Sequence, residues 1–145
     1  MTSEPLLAAD KLNNDPRLAE AKKLILDAVA EHQETLVSVR PPRPELATDY
    51  EQQLDQFGAI RGGRTFFPYL GSGIGNGPFV ELADGSVKLD LITGIGVHGY
   101  GHSHPRLINA GLDAAISDTV MQGNLQQNTS SCDIVKLLTD VACES

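Results

Sequence analysis

Apolar positions along the chain recur at two spacings, separated by glycine-rich breaks. Asp15 followed by Pro16 reads as a helix start, a capping side chain and then a residue suited to the first turn. Leu18, Ala21, Ile25, Ala28, Val29, His32 and Leu36 then return every three or four residues and form one stripe. Lys22, Lys23, Glu20 and Glu31 fall off that stripe. The helix is expected to end near Arg40, because Pro41-Pro42-Arg43-Pro44 cannot continue it. That proline run reads as a short stiff linker. A second helix is expected with Leu46, Tyr50, Leu54 and Phe57 on one face and Gly58 as its stop.

Helical spacing is lost from Arg61 to Gly77, and Gly71–Gly77 reads as a loop. Two-residue alternation follows. Phe79–Leu82 and Val87–Ile92 flank Ala83-Asp84-Gly85-Ser86, and Asp-Gly is a favoured centre of a two-residue hairpin turn. Val87, Leu89 and Leu91 alternate with Lys88 and Asp90, which implies one buried face. A second glycine-rich stretch runs from Gly94 to Gly101. Pro105 then opens a helix with Leu107, Ile108, Leu112, Ala115 and Ile116 along one side. Ser130-Ser131-Cys132-Asp133 begins a last helix carrying Ile134, Leu137, Leu138, Val141 and Ala142. Its pattern breaks off at Ser145 without a stop signal, as expected of a piece of a longer domain.

Composition sharpens this picture. Thirteen of the fourteen glycines lie between Gly58 and Gly111, so turns concentrate in the centre of the 145-residue chain. Eleven Lys+Arg against nineteen Asp+Glu leave a net charge of −8. That balance argues against nucleic acid, whose phosphates need clustered positive charge. No apolar run approaches the ~18 residues of a membrane span. The acidic start, Met1-Thr2-Ser3-Glu4, lacks the basic-then-apolar pattern of a signal peptide. Cys132 and Cys143 are too few for a disulfide framework and read as buried or free thiols, with a soluble, reducing, cytoplasmic setting as the default expectation.

Three local patterns carry candidate chemistry. Gly94-Ile95-Gly96-Val97-His98-Gly99 matches the dinucleotide-binding spacing, but Pro105 places the helix start too late for backbone amides to meet a pyrophosphate. His98, His102 and His104 fall within seven residues and offer three imidazoles for zinc, with no carboxylate between Asp90 and Asp113 to join them. Ser103 lies between two histidines, an arrangement in which sequence neighbours rarely face one another as a triad.

The stretch Gly77–Pro105 resembles the opening of the class III pyridoxal-phosphate aminotransferases, the acetylornithine, ornithine and 4-aminobutyrate group. The matching parts are Asp84-Gly85 with Asp90, then Gly94–Val97, then Gly101-His102-Ser103-His104-Pro105. Gly123-Asn124-Leu125 resembles the family's Ser-Asn-Leu stretch. The likeness covers residues 61–145 and implies an α+β or α/β fold. Residues 61–145 would be the N-terminal part of the small domain of a fold type I transferase, reaching the start of the large domain. Residues 1–60 would be a helical extension with the proline linker at 41–44.

The resemblance further implies a homodimer acting on an amino acid or amine and a 2-oxo acid through pyridoxal 5′-phosphate. Thr93, Gly94, Ile95 and Gly96 would line the substrate entrance. Asp84, Gly85, Gly101, His102, His104 and Pro105 would be turn and helix-entry residues. The family's imine-forming lysine, phosphate loop, pyridine-pairing aspartate and substrate arginine have no counterpart among these residues. The chain alone is therefore expected to be catalytically incomplete and not to bind the cofactor by itself. Two alternatives stand beside this reading: a non-catalytic dimerisation or interaction module, and a small zinc-binding domain built on His98, His102 and His104.

Overall fold

The first long helix starts as its sequence dictates. In the computed structural model, which describes residues 7–117 and 127–144, a short helix α1 (Ala8–Asn13) precedes α2 (Pro16–Gln33). The Asp15 side chain accepts the Arg17 amide at 2.9 Å, and Pro16 opens the first turn. The Arg17 side chain bonds the same carboxyl and holds its pKa down at about 2. The helix then ends at Gln33, well short of Arg40. Burial rather than proline stops it. Leu36 leaves the helix and is the core's most enclosed leucine, 1% exposed, and Arg40 pairs with a strand beyond.

The shielded stripe of α2 is also rotated from the expected one. Leu18, Lys22, Leu26, Val29 and Gln33 are half-buried, whereas Ala21, Ile25, Ala28 and His32 are exposed. Polar Lys22 and Gln33 thus occupy positions that hydropathy alone assigns to solvent.

A 3₁₀ turn at Pro44–Leu46 leads into α3 (Ala47–Arg61). Tyr50, Leu54 and Gly58 form its buried face at four-residue steps. Gly58 is therefore inside the helix and not its stop. Gly62 takes that role, with φ +82° and its amide on the Gly58 carbonyl. Phe57, expected on the inner face, is 45% exposed and carries Arg61 over its ring. The proline run is no free linker. The Arg40 amide donates to Val87 O and the Arg43 amide to Asp84 O, tying both its ends to the sheet.

The sheet has three antiparallel strands in the order β1 (Gly71–Asn76), β2 (Phe79–Leu82) and β3 (Val87–Leu89). The expected loop at Gly71–Gly77 is thus mostly a strand. Glycine holds every second position, so no run of apolar side chains marks the strand, and it pairs through backbone, with Gly75 opposite Val80 and Asn76 opposite Phe79. The β2–β3 turn also differs from the expected form. Of Asp84 and Gly85 only Gly85 is left-handed (φ +75°), and the Leu82 amide reaches Ser86 O. This is the three-residue hairpin in which a type I turn ends on a left-handed glycine. Val87 is buried, but β3 ends at Leu89, and Leu91 beyond it is 83% exposed.

The core is small: Leu36, Tyr50, Leu54, Leu82 and Val87 are its buried apolar members. Tyr50 anchors it. Its hydroxyl donates to Pro68 O at 2.8 Å and accepts the Leu70 amide at 3.1 Å. Burial raises its pKa above the ordinary tyrosine value.

The chain divides into two compact units, Met1–Asn109 and Ala110–Ser145. Helix α4 (Pro105–Ile116) begins at the expected proline, and α5 spans Thr129–Cys143. The start of α5 lies ahead of the Ser130–Asp133 signal. Asn128 caps it by accepting the Ser131 amide at 2.9 Å. Cys132 and Cys143 are free and exposed. The described residues form an α+β arrangement, helices with one small antiparallel sheet. Among them no helix is long and apolar enough to cross a membrane.

Candidate functional site

Beyond β3 the chain enters a run of turns from Leu91 to Tyr100. Asp90 stands at its entry and organises it. One carboxylate oxygen, Oδ1, accepts the amides of Ile92 and Thr93, each at 2.9 Å. The other, Oδ2, lies 2.8 Å from His102 Nε2. The Asp90 amide donates to Pro78 O. The hydrogen bond from His102, followed by those from the two amides, holds the Asp90 carboxyl below the usual carboxylate range.

The four residues Thr93, Gly94, Ile95 and Gly96 are all left-handed, with φ of +53°, +59°, +58° and +89°. Glycine takes this conformation freely. Thr93 and Ile95 are β-branched and do not, so contacts must impose it. The Thr93 hydroxyl accepts the Gly96 amide, and the Thr93 carbonyl accepts the His98 amide. Ile95 projects outward, 94% exposed.

The return to the sheet needs close backbone approach. Gly101 has φ +91°, and a Cβ there would meet Gly77 Cα at 2.9 Å. The His102 amide donates to Gly77 O at 2.8 Å. Gly75 is equally confined, since a Cβ would lie 2.5 Å from His102 Cβ and 2.6 Å from Phe79 O. Gln33, at the end of α2, closes the junction. Its side-chain amide donates to Gly75 O and Ser103 O, and its carbonyl accepts from Asn76.

Gly77, Asp90, Thr93, His98, Tyr100 and His102 are among the residues lining a cleft of about 320 Å³; of the Thr93–Gly96 loop only Thr93 reaches it. The three histidines have separate tasks. His102 faces Asp90. His98 stacks on His102, ring centroids 4.1 Å apart. His104 opens α4, its Nδ1 accepting the Arg106 amide and its carbonyl those of Leu107 and Ile108, with Pro105 as the first helical residue. Among the described residues no three His, Cys, Asp or Glu side chains gather as a metal-holding group. Ser103 Oγ accepts the Gly75 amide and serves the turn. Asp84 and Gly85 lie in the β2–β3 turn, where Asp84 Oδ1 accepts the Ser86 amide.

No lysine lines the cleft. The five lysines lie on α1 (Lys11), α2 (Lys22, Lys23), β3 (Lys88) and α5 (Lys136). These residues do not fit pyridoxal phosphate, whose aldehyde needs an amine for its imine. Gly123-Asn124-Leu125, part of the resemblance, lies outside the described residues.

Of the junction's members, Asp90 is legible in the sequence by itself but not by its partner, and Gln33 is not legible at all. Asp90 was visible as the acid after the hairpin, and an aspartate two and three residues before free amides is a turn signal. Its pairing with His102 joins positions twelve apart across the loop, which no local pattern encodes. Gln33 carried no signal at all. No model of a known protein family, no curated protein and no solved structure matches the chain.

Proposed function

We propose that this chain forms the N-terminal part of the small domain of a class III aminotransferase of fold type I. Its Thr93–Gly96 loop would lie at the substrate entrance of a homodimeric, cytoplasmic enzyme. That enzyme would move an amino group between an amino acid or amine and a 2-oxo acid. One observation carries the reading: three segments of the resemblance, Asp84–Asp90, Gly94–Val97 and Gly101–Pro105, are linked through Asp90. The hairpin ends at Asp90, Asp90 bonds the start of the glycine loop, and the same carboxylate reaches His102 at the entry to α4. The cleft supplies no imine-forming amine, so pyridoxal phosphate and its chemistry would depend on residues outside this chain.

Complementation tests this. The chain would be co-expressed with an ornithine aminotransferase from which the segment equivalent to residues 61–145 has been deleted. Ornithine-dependent turnover would be compared with that of the deleted enzyme alone. Restored turnover is expected. A folded chain that neither co-purifies with the deleted enzyme nor restores turnover would overturn the proposal.

A second reading, an interaction module without catalysis, is favoured by α5. Ile134, Val135, Leu137, Leu138 and Val141 are each at least 60% exposed there. Light scattering that finds a stable dimer or larger assembly, in a chain that does not complement, would favour it.

A further inference from the structure

The two β-branched residues at positive φ pose a question that the loop's own bonds do not answer. The Thr93 hydroxyl and carbonyl close the turn on itself but do not anchor it to the rest of the unit. The anchoring groups are at its ends. At the start stand the amides of Ile92 and Thr93. At the finish stands the His102 ring, which is only 14% exposed. Both ends reach one side chain.

We infer that Asp90 is the positioning residue of this loop, holding its ends together through separate carboxylate oxygens and fixing the His102 proton on Nε2. The inference takes its functional meaning from the entrance-loop reading above, but its geometry stands apart from it. An ionised carboxylate only accepts hydrogen bonds. With Oδ1 occupied by two backbone donors, Oδ2 must receive its bond from Nε2–H. The neutral ring then keeps a lone pair on Nδ1. His98, stacked on the same ring, is held by the hydrogen bond its backbone N–H donates to the Thr93 carbonyl, so it moves with the turn that Asp90 anchors.

Asp90→Asn separates the two tasks. Its amide oxygen can still accept from Ile92 and Thr93, but its NH₂ then faces His102 and requires an accepting Nε2. The full chain would be labelled with ¹⁵N at histidine and the ring tautomers read at alkaline pH, where imidazole is neutral. Wild type is expected to show His102 as the Nε2–H tautomer. Asp90→Asn is expected to move that proton to Nδ1 while the Ile92 and Thr93 amides keep their exchange rates within about threefold. Asp90→Ala, which removes the clamp, should speed exchange of both amides by about tenfold or more.

An Nδ1–H tautomer in the wild type overturns the inference without any variant. So does an unchanged tautomer in Asp90→Asn, or an unchanged exchange rate in Asp90→Ala. None of these readouts involves the cofactor or turnover. A chain that fails complementation yet shows the expected tautomers would sink the aminotransferase reading and leave this inference standing.

Discussion

At the residue scale the Asp90 carboxyl ionises more readily in the folded chain than in the unfolded one, because His102 and two amides stabilise the anion. A lowered folded pKa means the folded state binds this proton less readily than the unfolded chain. Its contribution to stability is therefore complete above the ordinary carboxyl value of about 3.9 and is lost as pH falls through the lower folded value. Urea unfolding of wild type and Asp90→Asn at a series of pH values checks this. Wild type should be the more stable at pH 6, and the difference should fade as pH falls below the ordinary carboxyl value of about 3.9. A difference that grows with acid would show that the pairing does not favour the anion. Asp15 offers a contrast. Its pKa is lower still, about 2, but it belongs to an exposed cap whose partner Arg17 is solvated, so it says little about the site.

At the scale of elements, glycines with opposite surroundings should respond oppositely to alanine. In β1, a Cβ on Gly75 would collide with the Phe79 carbonyl and with His102 Cβ, and backbone cannot step aside. Gly75→Ala should cost about 2 kcal/mol or more, seen as a lowered urea midpoint with β1 and the His102 junction disturbed together. In α4, nothing lies within 4 Å of a Cβ on Gly111. Gly111→Ala should therefore stabilise that helix by about 0.5–1 kcal/mol, read as slower amide exchange across residues 105–116. The same contrast explains what could be read in advance. Helix starts at Pro16 and Pro105 were legible because proline and its capping neighbour act locally. The β2–β3 pairing was legible because alternating side chains mark it. β1 is not, since three glycines around Ser72 and a single apolar residue, Ile74, leave no pattern, and only the partner strand selects the extended form. The ends of α2 and α3 are not legible for a related reason. Leu36 and Gly58 take their roles from what they are buried against, and a linear sequence does not show that. At the site, the loop glycines were legible as turns, but the Asp90–His102 and Gln33 contacts join distant positions.

At the scale of the whole molecule, burial is unevenly shared. Among the described residues every member of the buried core precedes residue 88, whereas α5 contains no buried residue. A fifteen-residue helix that buries none of its residues is marginal in water, because propagation barely repays nucleation. Amide exchange in dilute, low-salt solution should therefore be fast across residues 129–143 and slow across 79–89. The net charge of −8 opposes association of copies under those conditions. Salt weakens that repulsion, since about 1 M shortens the screening length to about 3 Å, while leaving the apolar drive of Ile134, Leu137, Leu138 and Val141 intact. If this face exists to be covered, exchange in α5 should slow as salt and protein concentration rise together, with a parallel rise in scattering mass. Slowing with salt at constant mass would instead mean that α5 folds onto its own chain. Fast exchange under every condition would mean that the helix needs a partner this chain does not provide, as expected if the rest of an aminotransferase completes it.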